Sequence, residues 1–210
     1  LLNRQWWETQ ENLSHHLDLY QVHSATLKSG ILTNHDVHHR LAELKGRGIA
    51  IGLTVSGPHQ AEIIDRALDV TIDGQQLFQT VQVTWNLLER SAEPSIMRAH
   101  AAGWGIIVKE ALANGLLTPK NDDPAFSDVM GRLRGEATRL ETTIDALALA
   151  AVLAKPWVGV VLSGAARVDH LLSNVKALDV VWDETAESNT QDLVERPQTY
   201  WERRSDLSWN

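Results

Sequence analysis

Five short apolar runs punctuate the chain, at residues 17–23, 49–55 (IAIGLTV), 79–85 (QTVQVTW), 104–109 (WGIIVK) and 158–163 (VGVVLS). Each is bounded by polar sequence and is short for a helix, so each reads as a buried strand. The stretches around them, 2–15, 35–47, 58–69, 91–102, 137–154 and 167–178, carry apolar residues at helical spacing. They are long enough to cross over to a parallel neighbour. Nearly continuous apolar strands alternating with amphipathic helices predict an α/β fold whose parallel sheet of about five strands is covered on both faces. The segment GLLTPKNDDPAF, residues 115–126, gathers Gly, Pro, Asn and Asp and predicts an extended surface loop. Residues 183–210 turn from acidic to aromatic and basic and predict a frayed tail that rests two tryptophans against a body formed by residues 1–182.

The first run ends in chemistry. If LDLYQVHSAT is a strand, Leu17, Leu19, Gln21 and His23 share one face. A histidine at the C-terminal end of a parallel strand stands where α/β folds hold their ligands. Position alone leaves two readings for His23, a hydrogen-bonded core histidine or a group aimed at a substrate.

Composition narrows the field. A chain of 210 residues with 43% hydrophobic and 22% charged residues is a globular protein with room for one barrel-sized core. A net charge of −8 disfavours nucleic acid or an anionic membrane as the main partner and leaves room for a local basic pocket that takes a phosphate. The absence of cysteine excludes disulfides, thiol catalysis and cysteine-ligated zinc, and is consistent with a cytoplasmic protein. No apolar segment reaches the ~18 residues of a membrane span. The opening LLNRQWWETQ lacks the basic-then-apolar order of a signal peptide, has no initiator methionine and starts inside an amphipathic pattern. The expectation is therefore a chain that begins partway through a larger protein.

Nine histidines invite a metal reading, most of all HDVHH at 35–39, where His35 could share a helix face with His38 or His39. The cluster follows Thr33-Asn34, a helix-start signal, so a solvated first turn is the expectation and no metal site is assigned. HExxH, the Walker loop, GxGxxG and GxSxG are all absent. The turn SGAA at 163–166 follows a strand and opens a helix, which suits an anion at free backbone N–H groups but equally describes an ordinary tight turn.

Read together, the strand ends resemble the aldo-keto reductase family. DLYQVHSA is similar to the family's fourth barrel strand, IGLTVSGPHQAE to the fifth with its following loop, and VQVTWNLLER to the sixth. IIVKEALANGLLTP is similar to the seventh with its cofactor-covering loop, and VVLSGAARVDHLLSNVKAL to the eighth with the helix that grips the adenosine phosphate. The resemblance runs in family order from about residue 3 to 178. It implies the last five strands of a (β/α)8 TIM barrel, truncated at its N-terminal side, that binds NADP(H), with NAD(H) as the alternative, and interconverts carbonyls and alcohols by hydride transfer.

On this resemblance His23 is the catalytic histidine that orients the carbonyl and stabilises the charge growing on its oxygen. Gln82 and Thr54 fall on the residues that hold the nicotinamide carboxamide. Val55 stands where an asparagine is common, and Lys109 where a tyrosine often stacks on the ring, with Trp85 or Trp104 as substitute surfaces. Leu112 belongs to the covering loop, while Gly164, Ala165, Arg167, His170 and Asn174 would receive the phosphate and adenine end. The family's tyrosine, lysine and aspartate have no counterpart here. Tyr20 points to the strand face opposite His23, and Tyr200 lies in the tail. The 210-residue chain alone is therefore expected to be inactive, and the rival reading is a non-catalytic nucleotide-binding barrel or scaffold. A third reading, an unrelated barrel enzyme holding a phosphorylated metabolite at 163–167, stands behind both. Substrate identity and oligomeric state are not readable from these residues.

Overall fold

The computed structural model describes residues 2–207, so Trp209, one of the two tryptophans expected to anchor the tail, lies outside the described residues. In chain order the elements are α1 (Leu2–Leu13), β1 (Leu19–Ala25), α2 (His35–Lys45), β2 (Ala50–Val55), α3 (Gln60–Leu68), the short hairpin β3 (Thr71–Ile72) and β4 (Gln75–Gln76), and β5 (Thr80–Thr84). There follow α4 (Glu93–Ala101), β6 (Gly105–Lys109), α5 (Ser127–Arg139), α6 (Ile144–Leu153), β7 (Val160–Val161), α7 (Val168–Val175), α8 (Glu184–Thr190) and α9 (Pro197–Asp206). All five apolar runs become strands, and they form one sheet in the order β1-β2-β5-β6-β7. Three of its pairings, β1 with β2, β2 with β5 and β6 with β7, are recorded as parallel.

The chain divides into two compact units, one holding residues up to Gln82 together with Ser95–Gly105, the other Val83–Pro94 and Ile106 onward. The core of the first is built from Leu41 and Leu44 of α2, Ile51 and Leu53 of β2, Ile63 and Ile64 of α3, and Phe78, all 0–1% exposed. Asn34 caps α2 by accepting from the Val37 N–H, as the sequence predicts. The first turn is not wholly solvated, however. His38 is buried and its Nε2 hydrogen-bonds the Ile31 carbonyl, because position 38 falls on the same helix face as Leu41. Across the same unit Asp65 of α3 grips Arg98 and Ser95 of α4.

The second unit has its core around α5 and α6. Every residue of α6 except Leu153 is buried, and apart from Asp145 all are apolar, so this helix is buried on all sides rather than amphipathic. The single helix predicted over 137–154 is two: α5 ends at Arg139, Glu141 takes a left-handed φ of 51°, and α6 starts after Thr143. The run 158–163 yields a two-residue strand, although Gly159 N–H to the Ile106 carbonyl and Leu162 N–H to the Val108 carbonyl extend its pairing. A methyl group on Gly159 would come within 3.2 Å of that Ile106 oxygen, so the close approach favours glycine.

The segment 115–126 is the predicted surface loop: its residues are exposed or half-buried except Leu117 and Phe126, which enter the core, and 3-10 turns at Ala113–Gly115 and Pro124–Phe126 lie at its ends. The expected frayed tail, in contrast, is not found. Asp183 caps α8, Pro197 opens α9, and Leu193, Tyr200 and Trp201 pack into the same core as Leu133 and Leu147. The aromatic side chains supply enough apolar surface to dock the segment despite its charge. Among the described residues no helix is long and apolar enough to cross a membrane.

Candidate active site

In the first unit the ends of β1, β2 and β5 bring three of the sequence-selected residues into line. Thr54 pairs in register with Gln82, two positions beyond the pair Gly52 and Thr80. Gln21 in turn pairs with Gly52. A methyl group on Gly52 would lie 2.0 Å from Thr80 Oγ1 and 3.2 Å from Gln21 Cγ, so the side chains of Gln21 and Thr80 converge over Gly52 on one face of the sheet. Because side chains alternate, Thr54 and Gln82 occupy the next row on that face.

His23 reaches the row through an irregularity. Val22 pairs with Leu53 and Ala25 with Val55, so two residues of β1, His23 and Ser24, stand against the single residue Thr54. This is a β-bulge, a device that re-aims side chains at the ends of strands. Ser24 carries the strain, with φ at +53°, a left-handed conformation uncommon outside glycine. A hydrogen bond of 3.0 Å joins its Oγ to His23 Nδ1. His23 is exposed, which excludes the core-histidine reading, while Thr54 is buried and Gln82 half-buried. Val55 pairs with Ala25, is fully buried and offers the row no polar group. Tyr20 lies on the other face, its ring edge-on to Trp6 of α1 at 5.9 Å, and burial pushes its phenol pKa up.

The second unit holds the remaining candidates. Lys109 ends β6, half-buried, and burial pushes its ammonium pKa down. The next residue, Glu110, has φ +55° and is pinned from two directions. Its carboxylate accepts from Arg204 of α9 at 2.7 Å and its carbonyl from Asn86 Nδ2 at 2.9 Å. Asn86 Oδ1 accepts from the N–H groups of Leu88 and Glu89, and Asn86 Nδ2 also donates to the buried Tyr200 hydroxyl at 3.0 Å. Burial raises the pKa of Tyr200 well above that of a free phenol, and raises that of the Glu89 carboxyl. This network, which fixes the backbone just after Lys109, has no sequence signature, since Asn86 and Tyr200 are 114 positions apart. Leu112 packs against the core beneath the following turn.

At 163–174 the predicted strand-to-helix turn is present. Gly164 takes φ +64°, and Asn174 of α7, only 6% exposed, ties back to the Ser163 carbonyl at 3.1 Å. Arg167 is exposed and ion-paired with Asp169 at 2.9 Å, and Lys120 Nζ lies 3.2 Å from His170 Nε2. Ala165 N–H reaches Ser163 Oγ at 3.4 Å. Lys120, missed in the sequence because it lies 50 positions from His170, brings a second basic group to that ring. The substitute stacking surfaces fail: Trp85 is fully buried between Arg90 and Lys155, at 5.3 and 5.2 Å, and Trp104 is buried against Phe78. Both rings are large enough that the core claims them. Among the described residues no group of three or more His, Asp or Glu is arranged to hold a metal ion.

Comparison with known proteins agrees with this architecture. The model of the aldo/keto reductase family matches residues 8–193. No match is found among curated protein sequences. The aldo-keto reductase AKR11C1 from Bacillus halodurans is similar in structure in its apo form, with a TM-score of 0.72, 21% identity, and coverage of 92% of this chain and 68% of that one. Its holo form gives the same score and identity over 92% and 66% of the two chains. The thermostable aldo-keto reductase Tm1743, in complex with the inhibitor epalrestat, gives 0.69 and 23% identity over 91% of this chain and 65% of that one. This chain thus spans about two thirds of the length of these proteins and shares their barrel fold.

Proposed function

This chain belongs to the aldo/keto reductase family, and on that premise we propose that it carries the carbonyl-orienting and cofactor-binding part of an NADP(H)-dependent oxidoreductase acting on aldehydes or ketones and the corresponding alcohols. The observation that carries the proposal is the row of His23 and Ser24, Thr54 and Gln82 across three adjacent strand ends. A hydroxyl and a primary amide side by side can both accept from and donate to a carboxamide, the group that a nicotinamide presents. The bound cofactor supplies the hydride. His23 directs a ring N–H at the substrate carbonyl oxygen, orienting it and offsetting its developing negative charge. By the family resemblance Lys109 and Leu112 are assigned to the cofactor-covering segment, and Gly164, Ala165 and Asn174 to the turn for the adenine end. Arg167 exchanges Asp169 for the 2′-phosphate, with His170 beside it, which favours NADP(H) over NAD(H). A small-molecule partner and a cytoplasmic setting complete this reading.

A second reading, nucleotide binding without turnover, draws support from the tyrosines. Tyr20 faces away from His23, and Tyr200 is 1% exposed and hydrogen-bonded to Asn86, so neither presents a proton donor in the row. The 210 residues by themselves then bind NADPH without reducing aldehydes. The two readings separate in one assay of the full-length gene product and of this chain. NADPH-dependent reduction of 4-nitrobenzaldehyde by the former only supports the enzyme. NADPH binding without turnover by both supports the second reading.

A further inference from the structure

The bulge at the end of β1 does more than expose a histidine. A histidine that must donate to a carbonyl oxygen needs its hydrogen on the nitrogen facing the substrate, and in the neutral ring the other nitrogen is then an acceptor. His23 Nδ1 already has its neighbour, Ser24 Oγ at 3.0 Å. Only one hydrogen arrangement of that contact leaves an N–H at Nε2: the serine hydroxyl donates and Nδ1 accepts. The opposite arrangement, with Nδ1–H donating to Oγ, would turn an Nε2 lone pair toward the carbonyl oxygen, acceptor against acceptor.

The backbone is arranged to make this contact. Adjacent residues of a regular strand point to opposite faces and cannot meet side chain to side chain. His23 and Ser24 do so because the bulge sets both against Thr54 and turns Ser24 to φ +53°. Strained backbone of this kind persists where the surrounding structure holds it, and here the flanking pairs Val22 with Leu53 and Ala25 with Val55 clamp the bulge from both sides. Ala25 and Val55 are at most 1% exposed, so the clamp rests on core side chains.

We infer that Ser24 is a positioning residue that sets the tautomer of His23, keeping the hydrogen on Nε2 for the carbonyl, and that the β-bulge exists to bring the two side chains together. The inference rests on the reading of His23 as the carbonyl-orienting group, but its test is independent of turnover. The chain is labelled with 15N-histidine, the His23 ring resonances are assigned by loss in His23→Ala, and the tautomer is read from the two ring nitrogens. The comparison is with Ser24→Gly, which keeps the left-handed backbone and removes only the hydroxyl. The expected result is a predominantly Nε2–H ring in the parent chain and a mixed, exchange-averaged ring in Ser24→Gly. The same populations in both proteins, or an Nδ1–H ring in the parent, overturn the inference.

A second readout comes from the full-length gene product, where Ser24→Gly should lower kcat by the fraction of competent tautomer lost, about 2- to 10-fold, with NADPH affinity unchanged. An unchanged kcat together with a shifted tautomer would overturn the positioning role. An unaffected kcat in His23→Ala would instead remove the reading of His23 on which the inference rests, and the tautomer measurement would still decide whether Ser24 sets the ring.

Discussion

The candidate residues fall into two regions built on different principles. His23, Thr54 and Gln82 stand on three paired strands, and their spacing is set by backbone register that a side-chain change cannot alter. Arg167, His170 and Asn174 stand on a turn and an eight-residue helix, where the basic side chains already have protein partners, Arg167 with the Asp169 carboxylate and Lys120 with the His170 ring. On the function proposed above, the first region is preorganised and loses little on binding, whereas the second must give up existing pairs to take a phosphate. That reading places chemistry that depends on geometry on the sheet, and recognition of charge where side chains can exchange partners.

The largest expected effect tests the rigid region. In the full-length gene product His23→Ala should lower kcat for aldehyde reduction by about 10²-fold or more, with the NADPH dissociation constant unchanged by titration calorimetry. A lowered melting temperature with little kinetic change would return His23 to a structural role and erase the contrast. Next comes the exchangeable region. Arg167→Ala should weaken NADPH more than NADH, by about 1–3 kcal/mol in the difference; equal losses would assign Arg167 to local structure.

Asp169→Asn sharpens the same point with a smaller effect of opposite sign. The Arg167 guanidinium holds the Asp169 carboxyl below its usual range, so the pair persists at neutral pH and, on the function proposed above, competes with the phosphate. Removing the carboxylate should tighten NADPH several-fold and leave NADH nearly unchanged. The smallest effect concerns an ion pair that does not exchange. Asp183 caps α8 and takes two guanidinium nitrogens of Arg139 at 2.7 and 2.8 Å, which holds its carboxyl at about 2. Its folded pKa is depressed, so its contribution is complete above the ordinary value near 3.8 and is lost as pH falls toward 2. Acid unfolding followed by circular dichroism should show that Asp183→Asn is less stable than the parent at neutral pH, and that the difference closes in that window.

Much of this was legible beforehand, and the gaps share a cause. Strands such as 49–55 are nearly continuous apolar runs, and period and length identify them without knowledge of their neighbours. The position of His23 near a strand end follows in the same way from the run 17–23. What the sequence conceals is backbone of positive φ at ordinary residues: Ser24, Glu110 and Glu141 carry no glycine to announce the turn, and each changes what lies around it. The single helix expected over 137–154 missed the break at Glu141 for this reason. The docked tail was concealed differently. Tyr200 and Trp201 were visible as apolar side chains, but their partners, among them Leu133 and Leu147, are distant in the chain, and charge on Glu202, Arg203 and Arg204 masked the pattern.

The central claim, that the row at the ends of β1, β2 and β5 holds the nicotinamide end of the cofactor, is tested most directly by nuclear magnetic resonance of this chain during titration with NADPH. The Gln82 side-chain amide, the Thr54 backbone amide and the His23 ring are followed together. The account predicts that all three shift along a common saturation curve, and that Gln82→Ala weakens binding while abolishing the response of Thr54. Saturable NADPH binding that leaves these three groups unmoved would contradict it.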